Sequence, residues 1–177
     1  IGKEVQNNSI LVNGVSKSYA MTGWRIGYLA ANEKIVKQIE KLQGQSTSNP
    51  TSISQMASIT ALNDSEADVR QMVDEFQKRR DFLFNCLIKI PFVKCYKPVG
   101  SFYMFPDFSA FYGKSFKGIK VSNSTQLANF LLEEGKVVLV PGIAFGADRN
   151  LRISFAASMD TIKNGLDRII KTLELLK

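Results

Sequence analysis

The chain has 177 residues, 45% apolar and 22% charged, a balance that supports one domain, or one with part of another, around a sizeable core. It contains no histidine, which excludes Ser-His and Cys-His nucleophile pairs and histidine metal ligands within these residues. No apolar run approaches the ~20 residues of a membrane helix, Cys86 and Cys95 are too few for a disulfide framework and not spaced as metal ligands, and the net charge of +7 is dispersed.

Taken in chain order, Ile1-Gly2-Lys3-Glu4 shows neither an initiator Met nor a signal pattern and reads as a cut inside a longer protein. The apolar runs at 9–14 (SILVNG) and 24–31 (WRIGYLAA) predict two buried strands. Asn32 then caps a helix over 33–43, with Ile35, Val36, Ile39 and Leu42 on one side. On that helix Lys34, Lys37 and Lys41 interleave with Glu33 and Glu40, the pattern of a solvated face rather than a nucleic-acid groove. A loop over 45–50 precedes a helix over 52–62. Ser65 opens a long helix over about 65–89, with Glu66 and Asp68 in its first turn, where the helix dipole favours acids.

Beyond Pro91 the pattern changes. Strands are expected over 92–96 and 101–105, joined by a Pro-Val-Gly turn, then a helix from 123 or 124 to 134 and a strand over 137–140. A strand over 150–156 alternates Leu151, Ile153 and Phe155, which puts Arg152 on its opposite face. An amphipathic helix over 159–176 closes the chain. The expected organisation is an end of a larger α/β layer over 1–70 and a compact α+β unit over 71–177, joined by the long helix. Asn-x-Ser/Thr matches at Asn7, Asn63 and Asn123 read as chance without a secretion signal.

The stretch 13–28 (NGVSKSYAMTGWRIGY) carries the chemistry. It places Lys17 in a loop between two strands expected to be buried, and an apolar setting there would favour the neutral amine that Schiff-base chemistry needs. Arg25, at the mouth of the second strand, has the chemistry of a phosphate clamp, and Gly23 and Gly27 permit close backbone approach.

The string SKSYAMTGWRIGY resembles the pyridoxal-phosphate attachment motif of class I/II aminotransferases, the aspartate-aminotransferase-like group of fold type I, and the resemblance extends over nearly the whole chain. It implies that Lys17 is the Schiff-base lysine for pyridoxal 5'-phosphate and the base that moves the substrate Cα proton, and that Arg25 binds the cofactor phosphate. Asn150-Leu151-Arg152-Ile153-Ser154-Phe155-Ala156 is similar to the family segment whose arginine binds the substrate α-carboxylate, which implies that role for Arg152. Ser48, in Ser48-Asn49-Pro50, corresponds to a family loop that reaches the other subunit's cofactor phosphate across a dimer interface. Gly100-Ser101-Phe102-Tyr103 and the Val140-Pro141-Gly142 and Phe145-Gly146 pairings resemble segments that pack the small domain or shape the substrate pocket.

Two positions depart from the family pattern. Gly14 stands where some members have a phosphate-contacting serine, and Gly44 stands where the dicarboxylate-specific branch has an arginine. The family's aspartate for the pyridine nitrogen, its tyrosine for the 3'-oxygen, an asparagine and the stacking aromatic precede the lysine by more residues than this chain offers, so the isolated chain is expected to be inactive. The resemblance implies transfer of an amino group between an α-amino acid and a 2-oxo acid, an aspartate/2-oxoglutarate type being one such pair, in a cytoplasmic homodimer with no metal, nucleic acid or membrane partner. The alternatives are a pyridoxal-phosphate β-lyase or another fold type I enzyme, and, from a different class, a non-catalytic basic binding domain.

Overall fold

A computed structural model describes residues 3–177; Ile1 and Gly2, where the reading of a cut chain start falls, lie outside the described residues. Contacts divide the chain into two compact units, Ile1–Met72 and Val73–Lys177.

In the first unit a short helix α1 (Lys3–Asn7) precedes strand β1 (Leu11–Gly14), which pairs antiparallel with β2 (Gly27–Ala30) in the register Leu11↔Ala30 to Gly14↔Gly27. Both strands exist, but they are shorter than the apolar runs and not buried: Leu11 is 60% exposed and Val12 74%. A continuous apolar run signals a strand covered on both faces, and no other strand is hydrogen-bonded to this ribbon among the described residues. Trp24 ends a single 3-10 turn, Thr22–Trp24, rather than starting the strand.

Helix α2 (Glu33–Ser46) starts where expected, with Asn32 Oδ1 accepting the Lys34 N–H at 2.9 Å. It runs past residue 43 through Gly44 and ends where the Thr47 and Ser48 N–H groups both donate to the Gln43 carbonyl. Helix α3 (Ser52–Asp64) lays Ala57 and Ala61 against a small core of Val15, Met21 and Ile26. Helix α4 (Glu66–Leu87) carries the unit boundary, and its last turns contribute Leu83 and Leu87 to the core of the second unit.

The second unit is built on a three-stranded antiparallel sheet. Its strands are β3 (Tyr103–Met104), β6 (Val140–Pro141) and β7 (Leu151–Ser154), ordered β3-β7-β6. Between them in sequence lie a hairpin, β4 (Ser115–Phe116) with β5 (Ile119–Lys120), and helix α5 (Ser124–Glu133). Helix α6 (Met159–Leu173) closes the chain, and with α5 it packs Leu127, Leu131, Leu166 and Ile169 against Met104, Leu151 and Phe155.

The expected strand over 92–96 reduces to one bridge, Lys94↔Asp107, because Phe92 turns the chain with φ 67°. The expected strand over 137–140 is confined to β6, since the Val137 N–H still donates to Leu131 O and ties the segment to the end of α5.

Candidate active site

The segment between β1 and β2 is held at its ends and middle by apolar anchors, Val15, Met21 and Ile26, all at most 9% exposed. Polar bonds fix what lies between. The Thr22 hydroxyl donates to Ser16 O at 2.8 Å, and the Ala20 N–H donates to Lys17 O at 3.2 Å. Ala20 and Arg25 both sit in the left-handed region, at φ 54° and 56°. Such backbone is costly for residues other than glycine and persists where its surroundings dictate it.

With the apolar residues turned inward, Ser16, Lys17, Ser18 and Arg25 line an open cleft of about 440 Å³ whose floor is the Gly14–Gly27 end of the ribbon. Arg25 Nη1 donates to Thr22 O at 3.3 Å, which steadies the guanidinium against its own turn. Lys17 is exposed, so these residues do not supply the apolar setting expected around it. A primary amine, a guanidinium and two hydroxyls in one cleft suit a ligand that carries both a carbonyl and an anion such as phosphate.

The close backbone approach falls at Gly14 rather than at Gly23 or Gly27. A Cβ on Gly14 would lie 3.0 Å from Ile26 O, whereas one on Gly23 would meet nothing within 4 Å and one on Gly27 only Asn13 O at 3.5 Å. A side chain at position 14 would therefore crowd the carbonyl across the ribbon. Ser48 has a left-handed backbone, φ 63°, is exposed, and is not among the residues lining the cleft.

Arg152 belongs to the second unit. The alternation expected from the sequence holds: Leu151 and Ile153 are buried, at 0% and 7%, and Arg152 between them is half-buried on the other face. Its guanidinium carbon lies 4.3 Å from the centre of the Tyr103 ring and 4.8 Å from that of Phe145. It forms no ion pair with the described residues, so its hydrogen-bonding fork is available to a carboxylate. The role of these two rings was not assigned from sequence beyond packing or pocket shape. The cross-strand register reveals it, because Tyr103 opposes Ser154 and thus sits diagonal to Arg152 on the same face.

A family model described as "Aminotransferase class I and II" matches residues 2–169. The chain is 44% identical over 177 residues to a probable aspartate/prephenate aminotransferase of Rickettsia conorii, covering 99% of this chain and 44% of that protein. It is 47% identical to an aspartate aminotransferase of Pinus pinaster, covering 96% of this chain and 35% of the relative. The crystal structure of an aspartate aminotransferase from Rhizobium meliloti superposes with a TM-score of 0.95 at 40% identity, over 99% of this chain and 44% of that one. The α/β architecture is therefore that of part of a fold type I aminotransferase, and the chain spans less than half the length of these relatives.

Proposed function

The chain belongs to the class I and II aminotransferases, and on that premise we propose that it is the lysine-bearing C-terminal portion of a pyridoxal-phosphate-dependent enzyme that moves an amino group between an α-amino acid and a 2-oxo acid. The observation that carries the reading is the cleft shared by Lys17 and Arg25. Its donors fit the cofactor: the Lys17 amine suits the aldehyde, and Arg25 with the Ser16 and Ser18 hydroxyls suits the phosphate. When bound, pyridoxal phosphate supplies an electron sink for charge developing at the substrate Cα.

The residues of this chain do the rest. Lys17 would hold the cofactor aldehyde through its amine, and the Lys17 Nζ would serve as the base that takes the substrate Cα proton and redelivers it. Arg152 grips the α-carboxylate through its fork, which fixes the substrate's orientation. Ser48 contacts the phosphate bound by a second subunit of a homodimer. Residues 1–70 belong to the large cofactor-binding domain and 71–177 to the small domain, with the helix over 65–89 between them. The relatives named for aspartate support an aspartate-type amino donor, and the cytoplasm is the proposed compartment.

The test is single-turnover amino transfer by the full-length protein. Aspartate is expected to convert the bound cofactor, and Lys17→Ala to slow that step by about 10³-fold or more, the scale of a lost general base. A Lys17→Ala protein that transfers at the wild-type rate sinks the assignment.

A further inference from the structure

We infer that Ser124 and Asp148 form a latch that positions Phe145 against Arg152, so that residues remote from the substrate set the aim of the guanidinium; the inference rests on the carboxylate-binding role proposed above for Arg152.

Ser124 is fully buried, and a buried hydroxyl without partners is destabilising. Here each of its groups is used. The hydroxyl donates to Asp148 Oδ1 at 2.6 Å and accepts the Ile143 N–H at 3.2 Å, while the Ser124 N–H donates to the same carboxylate oxygen at 3.1 Å. Ser124 is also the first residue of α5, where the helix dipole favours a carboxylate. From the other side, the Tyr112 hydroxyl donates to Asp148 O at 2.6 Å. One serine and one aspartate thus tie the start of α5 to both ends of the 143–148 loop.

That loop displays Phe145. It begins as a 3-10 turn, Gly142–Phe145, bonded back through Gly142 N–H to Asn150 O at 2.8 Å and Ala147 N–H to Gly142 O at 3.0 Å. The Phe145 ring remains 50% exposed, and its ring contacts are Phe105, edge-on at 5.9 Å, and the Arg152 guanidinium. A large apolar ring left half in water contributes little to the core. Its value lies in the cation it flanks, which a fixed ring restrains at low entropic cost.

The experiment uses the full-length enzyme, with KM for the amino donor, kcat, the absorbance of bound cofactor and Tm measured for Asp148→Asn, Ser124→Ala, Phe145→Leu and the Asp148→Asn/Phe145→Leu double variant. Each single variant is expected to raise KM by roughly 10-fold, the scale of a cation–π contact, with kcat within about threefold and cofactor absorbance unchanged. The double variant should match Phe145→Leu alone, because the latch acts only through the ring. A lowered Tm with wild-type KM in Asp148→Asn, or KM effects that multiply in the double variant, overturns the latch. Phe145 is at the surface, so Phe145→Leu decides the matter even where Ser124→Ala fails to fold, and an unchanged KM there also overturns it. Arg152→Lys separates the two levels: unchanged KM in that variant removes the carboxylate reading itself, whereas raised KM there with wild-type KM in Asp148→Asn removes the latch alone.

Discussion

Burial pushes the Tyr112 phenol up to about 12, with the charges of Asp148 and Asp107 adding to the shift and Arg149 opposing it. The neutral form is also the one that can donate to Asp148 O. In an unfolded chain the phenol titrates near 10. Below that pH both states are neutral and the stabilisation is fully present. As pH rises the unfolded state ionises first, and the contribution is lost through about 12. Urea unfolding between pH 9 and 12 should show a steeper loss of stability in the wild type than in Tyr112→Phe; parallel curves would remove the phenol from the account. At this scale, the sequence alone singles out Lys17, Arg25 and Arg152 as candidates, the first two through a gapless motif and the third through strand alternation as well. The Tyr103 and Phe145 rings were not legible in that way. Their relation to Arg152 depends on a register across β3 and β7 and on a turn brought in by α5. Gly14 was legible as a departure from a pattern, but the carbonyl across the ribbon from it was not.

Elements with local signals were the most readable. Asn123 was one of two candidate starts for α5, and its side chain accepts the Gln126 N–H at 2.9 Å. Asn123→Ala is expected to cost about 1 kcal/mol of stability, the usual worth of such a cap. Chemical denaturation that finds no change would mean that the Asp148 carboxylate suffices to hold this helix end. The β4–β5 hairpin was missed because its turn is Lys117-Gly118, with φ 47° and 80°, in place of the Asn-Gly or Asp-Gly pair that marks such turns. Strands β1 and β2 form where the apolar runs predict them, but they are exposed rather than buried. Apolar composition records what a strand is suited to face, and no other strand is hydrogen-bonded to these two among the described residues.

At the scale of the molecule, the chain spans less than half the length of the aminotransferases it matches. The cleft around Lys17 contains an amine, a guanidinium and hydroxyls, and its lining includes no carboxylate. Borohydride reduction of the full-length protein with pyridoxal phosphate, followed by peptide mapping, tests the role of Lys17 directly. Stoichiometric label on Lys17, absent from Lys17→Arg, is the predicted result; label on a different lysine, or equal label in Lys17→Arg, would contradict it.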